Sequence, residues 1–236
     1  MRKIALVVLL IAQCVYAASQ PHPLWQKAVE LARRNKPWVP GTSHMRLDVL
    51  DDKGKSTDNY ETFYRITPNA KGVPVSEVEK AEHNGSDVTA AQRETQKKMN
   101  REAEKKGALS FSMGDNIFDP DVQASVQAAP LEETALVGTV ACAVFRFTMK
   151  KSDGSELSGT AALEKENGAP VEVTYTIKPL PRGVWTMTTV LRYAGGPEGS
   201  GYLRDVSIEG TGGVLFIRKG FRTLITLDAY WKNEES

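Results

Sequence analysis

The residues able to do chemistry in this 236-residue chain are few and scattered. His22, His44 and His83 form no helical metal-binding pair, and no pair of cysteines frames a zinc site. Cys142 sits in VACAVF with no basic neighbour to stabilise a thiolate, which predicts a buried, inert thiol. Gly54-Lys55-Ser56 matches the end of a phosphate-binding loop, but Val49 stands where the upstream glycine belongs. There is no G-x-S-x-G nucleophile elbow. Glu61, Glu172 and Asp205 fall on strand-like runs, where carboxylates usually mark a solvated face. These residues predict a protein that is not an enzyme and holds no metal or cofactor.

The elements that carry these residues are mostly strands. GTAALEKENGAPVEVTYTI, Gly159 to Ile177, reads as two extended runs joined by Asn167-Gly168. In its second run Val171, Val173, Tyr175 and Ile177 alternate with Glu172, Thr174 and Thr176, the pattern of a strand with one buried face. Comparable runs are expected at about 131–149, 156–165, 170–178, 184–193, 202–209, 213–219 and 222–231. The first of these shifts its apolar phase near Val144-Phe145, which predicts a bulge or burial on both faces. Upstream, Met45, Leu47 and Val49 start a hairpin that returns through Tyr60, Thr62, Tyr64 and Ile66, and a short strand follows near Glu77 to His83.

Two helices complete the reading. LWQKAVELARRNK carries Leu24, Ala28 and Leu31 at helical spacing between Pro23 and Pro37, an amphipathic helix for one face of the sheet. Thr89 to Lys106 has nine charged residues among its 18, a capping box from Thr89 to Gln92 and little apolar content, and reads as a solvated helix or a docking arm. Leu109, Phe111, Met113, Ile117 and Phe118 in the following loop can pack down onto the sheet.

With 41% hydrophobic and 25% charged residues the composition is that of a globular protein. MRKIALVVLLIAQCVYA has the basic start, apolar run and small-residue end of a secretory signal peptide, predicting cleavage after Ala17 and a single domain over 18–236. Cleavage leaves 28 basic and 29 acidic residues, a balance that does not suggest nucleic acid. Gln13 is a poor residue before a lipidated cysteine, so the mature protein is expected in the periplasm. Lipidation of Cys14 would make it an outer-membrane lipoprotein.

GTAALEKENGAPVEVTYTI, followed by PLPRGVWTMTTVLRY and VSIEGTGGVLFIRKGFRTLITLDAYW, resembles the LolA/LolB-like superfamily of secreted bacterial proteins related to outer-membrane lipoprotein-sorting factors. The resemblance implies an α+β fold in which a strongly curved antiparallel sheet, a half-barrel, is covered by a few helices. It also implies a hollow for a lipid or lipoprotein acyl chain. The apolar parity of the strands names candidate lining residues: Phe147, Tyr175, Trp185, Met187, Leu191, Ile225 and Trp231. Two functions stand on this reading. One is a periplasmic, non-catalytic carrier of a lipid or other apolar moiety; the other is a structural or interaction protein with a filled half-barrel and an envelope protein as partner.

Overall fold

The computed structural model describes residues 21–105, 116–214 and 217–233. The signal-peptide segment and Leu109, Phe111 and Met113 lie outside the described residues. Helix α1 (Pro23–Asn35) opens the description, with Pro23 in its first turn and His22 as its N-cap. Strands β1 (Trp38–Val39), β2 (Thr42–Leu50), β3 (Ser56–Pro68), β4 (Pro74–His83) and β5 (Ser86–Asp87) lead to helix α2 (Thr89–Lys105). A 3-10 helix, Pro120–Ser125, precedes β6 (Val126–Val137), β7 (Val140–Lys150), β8 (Glu156–Glu164), β9 (Pro170–Lys178) and β10 (Val184–Gly196). The chain ends in β11 (Gly199–Val214), β12 (Ile217–Asp228) and β13 (Trp231–Lys232).

Eleven strands form one antiparallel sheet in the order β5-β4-β3-β2-β12-β11-β10-β9-β8-β7-β6, while β1 and β13 make a separate two-stranded ribbon. The end strands β5 and β6 are not paired with each other, so the curved sheet is an open half-barrel. Short hairpins make this possible, because antiparallel neighbours need no crossover helix.

Helix α1 defines the inner face. Its Trp25 and Ala28 are buried against Phe145, Phe147, Leu163, Val173 and Leu191 of the strands and against Ile117 and Phe118. The Trp25 ring lies 4.9 Å from Phe118 and 5.6 Å from Phe145, and its Nε1 donates to Gln123 Oε1 at 3.0 Å. The Asn167-Gly168 turn grips the same helix from outside the core. Gly168 has φ 77°, and a Cβ there would lie 2.7 Å from Lys27 Cβ and 2.9 Å from the Leu24 carbonyl, so only glycine fits.

Four local expectations are corrected. The expected strand 131–149 is two strands, β6 and β7, joined by a turn with Gly138 at φ 60°. The phase shift near Val144 is burial on both faces of β7, with Cys142 and Phe145 both fully buried opposite a register shift in β6. The expected strands 202–209 and 213–219 divide differently: β11 runs unbroken through Gly210, Gly212 and Gly213. The capping box does not form, since Thr89 Oγ1 accepts from Ala81 N of β4 at 2.9 Å and Asp87 Oδ1 caps Thr89 N instead. Finally, Ala229 at φ 55° ends β12, so Trp231 leaves the sheet and pairs across the β1–β13 ribbon.

Helix α2 is attached by a polar stripe. Thr89, Arg93, Gln96 and Asn100 recur at spacings of four, three and four, one face of a helix. Arg93 donates to the Val78 and Glu79 carbonyls at 2.8 and 2.9 Å, where the β3–β4 register shift leaves Glu79 between paired residues. Gln96 Nε2 reaches Ser76 Oγ at 2.9 Å and Asn100 Nδ2 reaches the Ser76 carbonyl at 3.0 Å.

On the outer side of β2 the buried Asp48 carboxylate accepts from Arg46, Ser56 and Asn59 at 2.9 to 3.3 Å. The Arg46 hydrogen bond, with those of Asn59 and Ser56, holds its pKa below the ordinary carboxylate value. A carboxyl depressed on folding stabilises the protein above the unfolded pKa and loses that contribution as pH falls through the folded one. Asp48→Asn should therefore cost about 1–3 kcal/mol in urea unfolding at pH 7, with the deficit shrinking below about pH 4. An equal deficit at pH 7 and pH 3 would show that the charge is not what matters.

Candidate functional site

Cross-strand partners share a face, so the register extends the inner face across the sheet. One row runs Phe145, Ala161, Val173, Leu191, Val206, Ile225, Met45, Thr62 and Ala81, from β7 to β4. The next runs Phe147, Gly159, Tyr175, Thr189, Ile208, Thr223, Leu47, Tyr60 and His83. A third, from β10, runs Met187, Gly210, Phe221 and Val49.

The two halves of this face differ. Under α1, on β7 to β10, Phe145, Phe147, Leu157, Leu163, Val173 and Leu191 are buried and the space is filled. On β11, β12 and β2, Met45, Leu47, Val49, Ile208, Phe221 and Ile225 are only half-buried. Tyr60, next after Leu47 in its row on β3, is 37% exposed. Glycine deepens this second half. A Cβ on Gly210 would meet the Phe221 ring at 2.6 Å, so the missing side chain leaves room for that ring against the β11 backbone, in the register row of Met187.

The seven residues read from sequence as lining fall in four places. Phe147 and Leu191 are in the filled core, 1% and 3% exposed, with Tyr175 and Ile225 packed half-buried against it. Met187 is half-buried at the edge of the less covered half. Trp185 sits in the β10–β11 register shift and is 45% exposed, while Trp231 stands outside the sheet with its Nε1 on the Ile66 carbonyl at 3.2 Å. Met45, Leu47, Val49 and Phe221 were legible only as strand residues, and Ile208 and Tyr60 complete the patch. The signal that joins them is register, which no single strand carries.

The histidines do not converge. His22 caps α1, accepting from Leu24 N at 3.2 Å, and packs edge-on against Phe145. His44 stacks on Phe63 at 4.2 Å and touches Glu61 at 2.7 Å. His83 stacks on Tyr60 at 4.1 Å and touches Asp58 at 2.6 Å, and this hydrogen bond, with that of Asn84, lowers the Asp58 pKa. Among the described residues no group of three or more His, Cys, Asp or Glu side chains is placed to hold a metal ion.

Cys142 is fully buried on β7, and burial pushes its thiol pKa up. Alkylation of the native protein should therefore be slow and should become fast only in denaturant, as intact-mass measurement would record. Rapid native labelling would mean that this strand opens.

The curved, open sheet is similar to that of two solved structures. The crystal structure of an outer membrane lipoprotein-sorting protein domain from Vibrio parahaemolyticus aligns over 90% of this chain and 94% of its own, at 12% identity and a TM-score of 0.39. A LolA superfamily protein from Nitrosomonas europaea aligns over 89% of this chain and 92% of its own, at 11% identity and a TM-score of 0.38. No family model matches the sequence, and no curated protein sequence does.

Proposed function

We propose that this chain is an exported, non-catalytic carrier or binding protein for a lipid acyl chain or another apolar moiety, working in the periplasm and serving in lipoprotein sorting. The observation that supports it is the unequal cover of the inner face. Met45, Leu47, Val49, Met187, Ile208 and Phe221 form a continuous half-buried apolar patch where the neighbouring half of the same face is sealed by α1. Such a patch gains about 0.8 kcal/mol for each methylene that it takes from water. Cargo would enter along β11, β12 and β2, and the α1 half would serve as a rigid wall.

The second reading, an interaction protein with a filled hollow, draws on the complete burial of Phe147 and Leu191. One titration separates the two. The carrier should bind an environment-sensitive apolar dye saturably, a long-chain fatty acid should displace it, and organic extracts of the purified protein should contain lipid. A native protein that takes up neither dye nor fatty acid would leave only the scaffold.

A further inference from the structure

Among the described residues, strand β6 is an open edge of the sheet, paired on one side with β7. Its backbone groups can be assigned from one residue. Pro130 has no N–H to give and lies opposite Phe145 within an unbroken register from Val126 to Pro130. Proline survives in a sheet where the N–H position faces away from the ladder. Residue 130 therefore points its backbone outward, and by alternation so do Ala128 and Val126, while Gln127 and Ala129 bond β7. The Val126 N–H is already spent on the Gln123 carbonyl, closing the 3-10 helix. The outward edge thus presents one donor, Ala128 N–H, and three acceptors, the carbonyls of Val126, Ala128 and Pro130.

That arrangement is not self-complementary. Two copies paired antiparallel about Ala128 would make two hydrogen bonds and set the Val126 carbonyl against residue 130 of the other copy, which has no N–H. An edge of this kind calls for a strand that brings three donors and one acceptor. The protective devices of the edge are also confined to its far half. Pro130, the register shift before Thr134, and the charges Glu132 and Glu133 all lie beyond Ala129. The unprotected half, Val126 to Ala128, lines a groove of about 1240 Å³ together with His22, Trp25 and Val29.

We propose that Val126–Pro130 is a docking edge for an extended peptide segment of a partner protein, which adds to the sheet as a further strand. Five residues suffice. The central one exchanges both hydrogen bonds with Ala128, and the residues two before and two after donate to Pro130 and Val126. Register places Val126 and Ala128 on the inner face, opposite Met149 and Phe147. The segment accordingly carries apolar side chains at the alternate positions that face the groove, with polar ones between and no proline at its three donor positions.

The test uses the purified chain and a fluorescein-labelled pentapeptide, Val-Thr-Leu-Ser-Val, with a control N-methylated on the central leucine. Anisotropy should rise saturably with the first and at least about tenfold more weakly with the control, and hydrogen exchange at Ala128 should slow in the complex. Ala128→Pro should keep the melting temperature and weaken binding at least about tenfold; Ala129→Pro, which removes a bond to β7, should lower the melting temperature. Absence of binding, equal binding by Ala128→Pro, or a melting temperature that falls for Ala128→Pro and not for Ala129→Pro would overturn the proposal. So would dimerisation that Ala128→Pro abolishes. The peptide should not displace apolar dye from the β11–β2 patch, so the outcome is separate from that of the carrier reading.

Discussion

Replacing Trp25 by alanine should bring the melting temperature down by about 6–20 °C. Trp25 is 3% exposed and joins α1 to Phe118, Phe145 and Phe147, with its Nε1 on Gln123. Truncating a buried tryptophan costs about 3–5 kcal/mol, and a chain of this size loses about 2–4 °C per kcal/mol. That cost is a large part of the about 5–15 kcal/mol holding a domain together. Trp25→Phe should recover most of the loss in the same circular dichroism melt, since a ring is restored and one hydrogen bond is missing. A Trp25→Ala protein melting within about 2 °C of the parent would mean that α1 is not what seals this half of the sheet.

The second large effect is on binding. Met187→Glu should abolish uptake of an apolar dye while leaving the fold intact. Met187 is half-buried beside Gly210 and Phe221, so a carboxylate there keeps contact with water but charges a surface that an apolar guest must cover. A guest that covers it raises the carboxyl pKa by desolvation, so acidification should restore part of the binding. Met187→Ala should cost less than the about 2–5 kcal/mol of a tight core. If Met187→Glu unfolds the chain, the patch is part of a filled core. If dye binding is unchanged, the guest sits elsewhere.

The sequence is most informative where one strand or helix decides its own structure. The Asn167-Gly168 hairpin, α1 and the single-faced β9 all follow from local period and turn chemistry. The polar stripe of α2 was hidden because its partners, the Val78 and Glu79 carbonyls, are backbone groups that sequence does not display. Trp231 shares the parity of Ile225 but not its place, because one residue, Ala229, turns at φ 55° where nothing in its type announces it. The candidate patch was half legible. Apolar alternation marks Met45, Leu47 and Val49, yet only the pairing of β2 with β12 brings them to Ile225 and Phe221.

The way α2 is fastened has a thermal consequence. Thr89, Arg93, Gln96 and Asn100 hold it by hydrogen bonds, and Met99 remains 49% exposed. Detaching this helix uncovers Val78 and Ala81 of β4, fewer apolar side chains than α1 covers, so its opening carries a smaller heat-capacity change than the opening of the core. The free energy of that local opening should curve less with temperature than the stability of the sheet does. Warming therefore separates the two, and α2 becomes the unit whose amide exchange departs first from that of the strands.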